Sequence, residues 1–173
     1  MEIIFNTEKR EIMKKLAYYG INELPFLLIK SGKDKVRGYS GSLSLEEIRK
    51  LQKNSRVEII GMYLFHEYPE EIRFSLDALH ILKNQITKNI IELTNEQKDN
   101  WFRGEDILLD NKNQTKEIET SKNLGALGKE EFKSQEKGFK VIKHRDDLIG
   151  MGKLTDDRIT NYLPKERRRK GKQ

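Results

Sequence analysis

Residues 138–154, GFKVIKHRDDLIGMGKL, and residues 158–163, RITNYL, decide the fold. FKVIK reads as a strand, HRDD as a polar turn, and LIGMGKL as a second strand broken by two glycines; RITNYL is a last strand ending at Pro164. Short strands at near-regular spacing, with only small helices between them, predict a compact β barrel. Immediately upstream, residues 110–137, DNKNQTKEIETSKNLGALGKEEFKSQEK, are polar and almost free of aromatics. That composition predicts a long exposed excursion with at most one short helix. Further back, Thr94 and Gln97 have capping-box spacing, so NEQKDNWF reads as a short helix stopped by Gly104, and ILL at 107–109 as a strand. The β-branched run from Ile86 to Leu93 opens this second unit, which spans 86–164.

The first half has a different rhythm. Asn6 or Thr7 is placed to cap a helix in which Ile12, Leu16 and Tyr19 share a face with Phe5, and Gly20 stops it. FLLIK and VRGYS form a hairpin with its loop at Ser31 to Lys35, and Ser44 with Glu47 repeats the capping-box spacing for a helix to about Lys53. VEIIGMYLF is then a strand, Pro69 marks a turn, IRFSL is a second strand and DALHILK a closing helix. These elements make one α+β unit over residues 1–85.

Composition narrows the chemistry. The chain has 173 residues, 35% hydrophobic against 36% charged, so any core is modest. It lacks the long apolar run of a membrane span, and MEIIFNTEKREI lacks the basic-then-apolar order of a secretory signal, so a soluble cytoplasmic protein is expected, without membrane contact. With no Cys, and with His66, His80 and His144 scattered, neither a thiol nucleophile nor a metal site is expected. Neither GxGxxG nor GxxxxGK[ST] occurs; the GMG at 150–152 reads as glycines that let a strand bend or another backbone approach, ahead of a ligand cradle. The acidic pairs fall in caps and turns, and no nucleophile is framed by a base. The expectation is a non-enzyme with no catalytic residues and no cofactor.

Charge is concentrated at one end. Of the net +6, the last nine residues, KERRRKGKQ, carry +5, so residues 165–173 form a basic tail. Such a tail points to a polyanion, because neutralised phosphates release counterions; a disordered solubilising tail is the plain alternative. Within the strands, His144 stands between Lys143 and Arg145 at the tip joining two strands, where a cationic loop can touch phosphate. Trp101-Phe102 reads as a hydrophobic anchor with Arg103 facing solvent. Asn161, Tyr162, Lys165, Arg167, Arg168 and Arg169 bring together an amide, an aromatic for base stacking and guanidinium forks for phosphate.

WFRGEDILL, GFKVIKHRDDLIGMGKL and RITNYLPKERR together resemble the PUA-like RNA-binding domain at the C-terminus of RsmF-type rRNA cytosine-5 methyltransferases. Gly150, Gly152, Lys153, Asn161, Pro164, Lys165 and Arg168 fall on that family's glycine-lysine strand and its Asn-Pro-Lys-Arg ending, as does Arg103-Gly104-Glu105. The first half is similar to the pre-PUA region of that family and of Nip-type ribosome biogenesis factors, through VEIIGMYLF and IRFSLDALHIL. The resemblance implies an α+β protein: a free-standing N-terminal pre-PUA α/β domain followed by a C-terminal PUA-like β pseudobarrel with short helices. The Rossmann domain and cysteine nucleophiles of those methyltransferases are missing here, so methylation in cis is not expected. What the resemblance implies is non-catalytic binding of structured rRNA or tRNA in ribosome biogenesis or RNA modification. Its contacts would be Arg103, Lys143, His144, Arg145, Lys153, Asn161, Tyr162, Lys165, Arg167, Arg168 and Arg169. The alternative is an adaptor that docks an RNA-modifying enzyme, such as a methyltransferase, or a ribosome assembly factor, with RNA contact secondary.

Overall fold

Helix α1, Asn6–Ala17, turns Ile12 and Leu16 inward at helical spacing, and Tyr19 just beyond it joins them. The computed structural model describes residues 2–109 and 137–169, and the chain divides between Lys88 and Asn89 into two compact units. Residues 86–88 stay with the first unit, because the N–H groups of Thr87 and Lys88 both donate to the Tyr19 carbonyl. The readings made for the excursion at 110–136 and for the last four residues of the tail lie outside the described residues. No described helix is long and apolar enough to cross a membrane.

In the first unit β1, Glu2–Ile3, β2, Leu27–Ser31, β3, Lys35–Tyr39, β4, Met62–Glu67, and β5, Ile72–Phe74, form an antiparallel meander in chain order. One sheet face buries Leu28, Val36, Phe65 and Phe74, and Tyr19 closes edge-on against Phe74 with ring centroids 5.0 Å apart. The Tyr19 hydroxyl donates to the Ile72 carbonyl at 3.0 Å, which satisfies a phenol whose pKa burial drives well above its ordinary value. Lys15 binds Glu67 at 2.7 Å with both side chains mostly buried, pinning the helix to β4.

The two capping boxes form as the spacing predicts: Ser44 with Glu47 opens α2, Leu45–Asn54, and Thr94 with Gln97 opens α4, Asn95–Arg103. In α1 the outcome differs. Its N-cap is Phe5, which has no side-chain cap and lies 53% exposed with the Arg49 guanidinium 5.8 Å over its ring, so it is not part of the buried stripe. VEIIG is also not strand, which begins only at Met62. Gly61 has φ +78° and lies so close to the Gly38 carbonyl that a Cβ would meet it at 2.6 Å; the chain turns there and leaves Ile59 in solvent. A short helix α3, Leu76–Ile81, follows β5 as read.

The second unit has sheet order β6-β8-β9-β10-β7. β6, Ile90–Glu92, runs parallel to β8, Gly138–His144, and the remaining pairs with β9, Asp147–Leu154, β10, Arg158–Asn161, and β7, Ile107–Leu108, are antiparallel. Its core gathers Ile91, Leu93, Ile107, Ile142, Ile149, Leu154, Ile159 and Leu163 around the fully buried Trp101. Lys140 is buried as well, its ammonium donating to Asn89 Oδ1 at 2.6 Å. A buried ammonium persists only where hydrogen bonds replace its water.

Candidate nucleic-acid interface

The capping box orients α4 so that Trp101, near its end, lies against β9. The glycine pair makes room for it: a Cβ on Gly150 would stand 3.3 Å from the indole Nε1, and one on Gly152 3.1 Å from the far edge of the ring and 2.5 Å from Ile159. GMG is therefore a seat for an indole, in line with a structural reading of the two glycines. The indole N–H has no acceptor among the described residues, so packing holds the ring. Gly104, at φ +88°, then ends the helix with its N–H bonded to the Asn100 and Trp101 carbonyls.

Asn161 ties β10 to this corner. Its amide nitrogen donates to the carbonyls of Trp101 at 2.8 Å and Glu105 at 3.0 Å, its Oδ1 accepts from Leu163 N–H at 2.7 Å, and its own N–H donates to the Asp106 carboxylate at 2.8 Å. Both amide hydrogens and the carbonyl are engaged and the residue is 9% exposed, so the side chain expected to read a base is here occupied in holding this corner together. Tyr162 beside it is half-buried, edge-on to Phe139 with centroids 5.1 Å apart, and the Lys153 ammonium stands 5.0 Å from the same Phe139 ring. Tyr162 and Lys153 are thus brought together, around Phe139.

The first part of the basic tail is docked. Lys165–Arg167 forms a single 3-10 turn after Pro164, the Arg168 Nε donates to the Leu163 carbonyl at 3.0 Å, and the Arg168 stem lies over Gly104, where a Cβ would meet it at 2.6 Å. Arg169 donates its N–H to the Phe102 carbonyl at 2.7 Å, lays its guanidinium 5.2 Å from the Phe102 centroid and reaches Asp99 at 3.4 Å. A disordered tail is therefore corrected for residues 165–169: a 3-10 turn leads into Arg168 and Arg169, which fold onto the end of α4. Arg103 is there too, bonded to Glu105 at 2.8 Å and to the Asn100 side chain; the Glu105 carboxylate raises its pKa. The Lys165 side chain is exposed without a hydrogen bond or ion pair among the described residues, its carbonyl accepting from the Arg168 N–H, and Arg167 is exposed.

Lys143, His144 and Arg145 form a separate group. They stand at the closed end of the β8–β9 hairpin, where His144 pairs with Asp147, whereas Lys153 pairs with Phe139 at the open end. Six strand residues span roughly 20 Å. His144 Nδ1–H donates to the Leu93 carbonyl at 2.9 Å, which anchors the hairpin to the chain after β6, and Lys143 lies 3.9 Å from Glu92. Arg145 sits at φ +52° at the turn, exposed and without a partner among the described residues. Asp106 is the residue that reading the sequence missed; its carboxylate on the β10 backbone has no local sequence signal.

Comparison with known proteins fits this geometry. Residues 88–169 match the family described as the methyltransferase RsmF PUA domain. The second unit is a PUA-like domain. The chain is also similar to the ribosomal RNA small subunit methyltransferase F of Photobacterium profundum, at 29% identity over 119 residues. That stretch is 69% of this chain and 20% of the relative, so the chain spans a small part of the protein it matches. The alignment is longer than the second unit, residues 89–173, and so reaches beyond the PUA-like domain into the first. With its helices and two sheets the protein is α+β, and the mixed sheet around Trp101 is the PUA-like pseudobarrel.

Proposed function

We propose that this chain binds structured RNA, ribosomal or transfer RNA, through its PUA-like domain, and that it serves RNA modification or ribosome biogenesis without catalysing a reaction itself. The match of residues 88–169 to the RsmF PUA domain carries this reading. The arrangement of cations supports it. Arg145 at the hairpin end, and Lys165 and Arg167 beside the docked Arg168 and Arg169, project from a rigid scaffold, which suits phosphate positioning. Tyr162 and Lys153 around Phe139 supply an aromatic and a cation suited to an unpaired base.

The test is binding by the full chain to total cellular RNA and to duplex DNA across a salt series. Arg145→Glu with Lys165→Glu removes two phosphate contacts and lowers the slope of log K against log salt by about 1.4 to 1.8. Equal affinity for RNA and DNA, or an affinity insensitive to salt, defeats the proposal.

A second reading is an adaptor that docks an RNA methyltransferase or an assembly factor. It is favoured by one observation: Leu43, Leu45, Leu51 and Ile59 of the first unit are all exposed. Replacing Leu45 and Leu51 with Ser leaves RNA affinity unchanged under the first reading. Under the second, it abolishes co-purification of an RNA-modifying partner.

A further inference from the structure

The face of the first unit's sheet opposite Phe65 and Phe74 is not apolar throughout. Across the strands Ile29 pairs with Arg37 and Arg37 with Tyr63, while Lys35 pairs with His66 and His66 with Arg73. Directly opposed residues share a face, so β3, β4 and β5 present Lys35, Arg37, Tyr63, His66 and Arg73 in two neighbouring rows. A β-bulge creates this arrangement. Val36 pairs with Phe65 but Arg37 with Tyr63, which leaves Leu64 as the extra residue, and Leu64 and Phe65 are both fully buried. In a regular strand Tyr63 and His66, three apart, would face opposite ways; the bulge sets them on one side.

We propose that this face is a second RNA-binding surface, one that holds an unpaired segment. Lys35 is exposed, and the one side-chain hydrogen bond of Arg37 among the described residues runs from Nη1 to the Gly61 carbonyl at 3.0 Å, with its Nε buried. Tyr63 is half-buried beside Arg73, and the rings of His66 and Tyr68 lie 4.4 Å apart at 50°. Asp34 lies 4.0 Å from His66 Nε2, whereas Glu67 points to Lys15 and Lys30. Cations suit phosphate and ring faces suit bases, and their interleaving is what single-stranded nucleic acid requires and an acidic peptide does not.

The experiment is photo-cross-linking of a single-stranded uridine-rich RNA to the full chain with peptide mapping, alongside affinity across a salt series. Cross-links within residues 62–73 are expected, and they persist in the Arg145→Glu, Lys165→Glu variant, which separates this surface from the PUA-like domain. Lys35→Glu with Arg73→Glu lowers the salt slope by about 1.4, two single-strand contacts, and Lys35→Ala, at an exposed position, lowers it by about 0.7 with folding intact. Tyr63→Leu weakens binding by about tenfold with the slope unchanged. Cross-links confined to 137–169, unchanged slopes in the Lys35 variants, or displacement by polyglutamate without cross-linking to RNA each overturn the proposal, the last in favour of an acidic protein partner.

Discussion

Asn161 on the last strand donates its side-chain amide to the Trp101 carbonyl in the last turn of α4, 2.8 Å away and sixty positions back in the chain. With the bonds to Glu105 and Leu163 it locks helix, strand and tail into one corner. Asn161→Ala removes all three side-chain bonds and leaves the Leu163 N–H buried without a partner, while the Trp101 carbonyl keeps the Gly104 N–H, at a cost of about 3 kcal/mol. Chemical denaturation should show this as a lower midpoint with an unchanged slope, and protein that remains folded keeps its preference for RNA. Loss of preference without loss of stability would restore a base-reading role to Asn161.

Gly152→Ala forces a methyl into Ile159 and the indole edge of Trp101, at 2.5 Å and 3.1 Å. Overpacking of this kind costs about 1–3 kcal/mol. Trp101 is the sole tryptophan of the chain, so intrinsic fluorescence reads the site directly. A red-shifted emission and a lower melting temperature are expected; an unchanged spectrum would mean that the ring is not seated on the glycine pair.

Truncation after Pro164 should destabilise the protein as well as remove charge, because it deletes the Arg168 bond to Leu163 and the Arg169 bond to Phe102. Arg168→Ala alone should lower stability by about 1 kcal/mol, whereas Lys165→Ala should change it by less than about 0.5 kcal/mol. Thermal melts of the three proteins check the order, and a truncation as stable as the full chain would show that the turn at Lys165–Arg167 does not hold the tail in place.

His66 has its pKa lowered from 6.5, first by burial and then by the Arg73 and Lys35 charges, which outweigh the opposing pull of Asp34. A histidine held neutral in the folded state is protonated first in the unfolded chain. The folded protein therefore loses stability as pH falls through the unfolded value of 6.5 toward the lower folded value, and is unaffected by this group above that window. Titration of the His66 ring by NMR should give a midpoint below 6.5, and His66→Gln should flatten the acid side of the stability profile. A midpoint above 6.5 would contradict the packing against Arg73.

The elements legible in the sequence were those written in local chemistry. Ser44 with Glu47 and Thr94 with Gln97 lie three residues apart, and a cap needs no more than that; Gly104 ends α4 because the left-handed conformation is cheap for glycine. The three C-terminal strands and the domain they build were equally open, since alternation, turns and the PUA motif are all short-range. Where a local signal was absent or two competed, reading failed: Phe5 caps α1 without a side-chain bond, and Gly61 cuts the apolar run of VEIIGMYLF before the strand begins.

The candidate interface was legible only as a set of residue types. Tertiary structure decided which of them face solvent. Asn161 turned inward because carbonyls on Trp101 and Glu105 wait there, Arg168 and Arg169 folded onto α4, and Lys143 to Arg145 went to the far end of the hairpin from Lys153. Nor could period-two alternation place Tyr63 and His66 together, since one extra residue in β4 reverses the parity of everything after it. Composition and spacing determined the charge, the caps and most of the local elements; the direction of each side chain was set by register and by contacts between residues far apart in the chain.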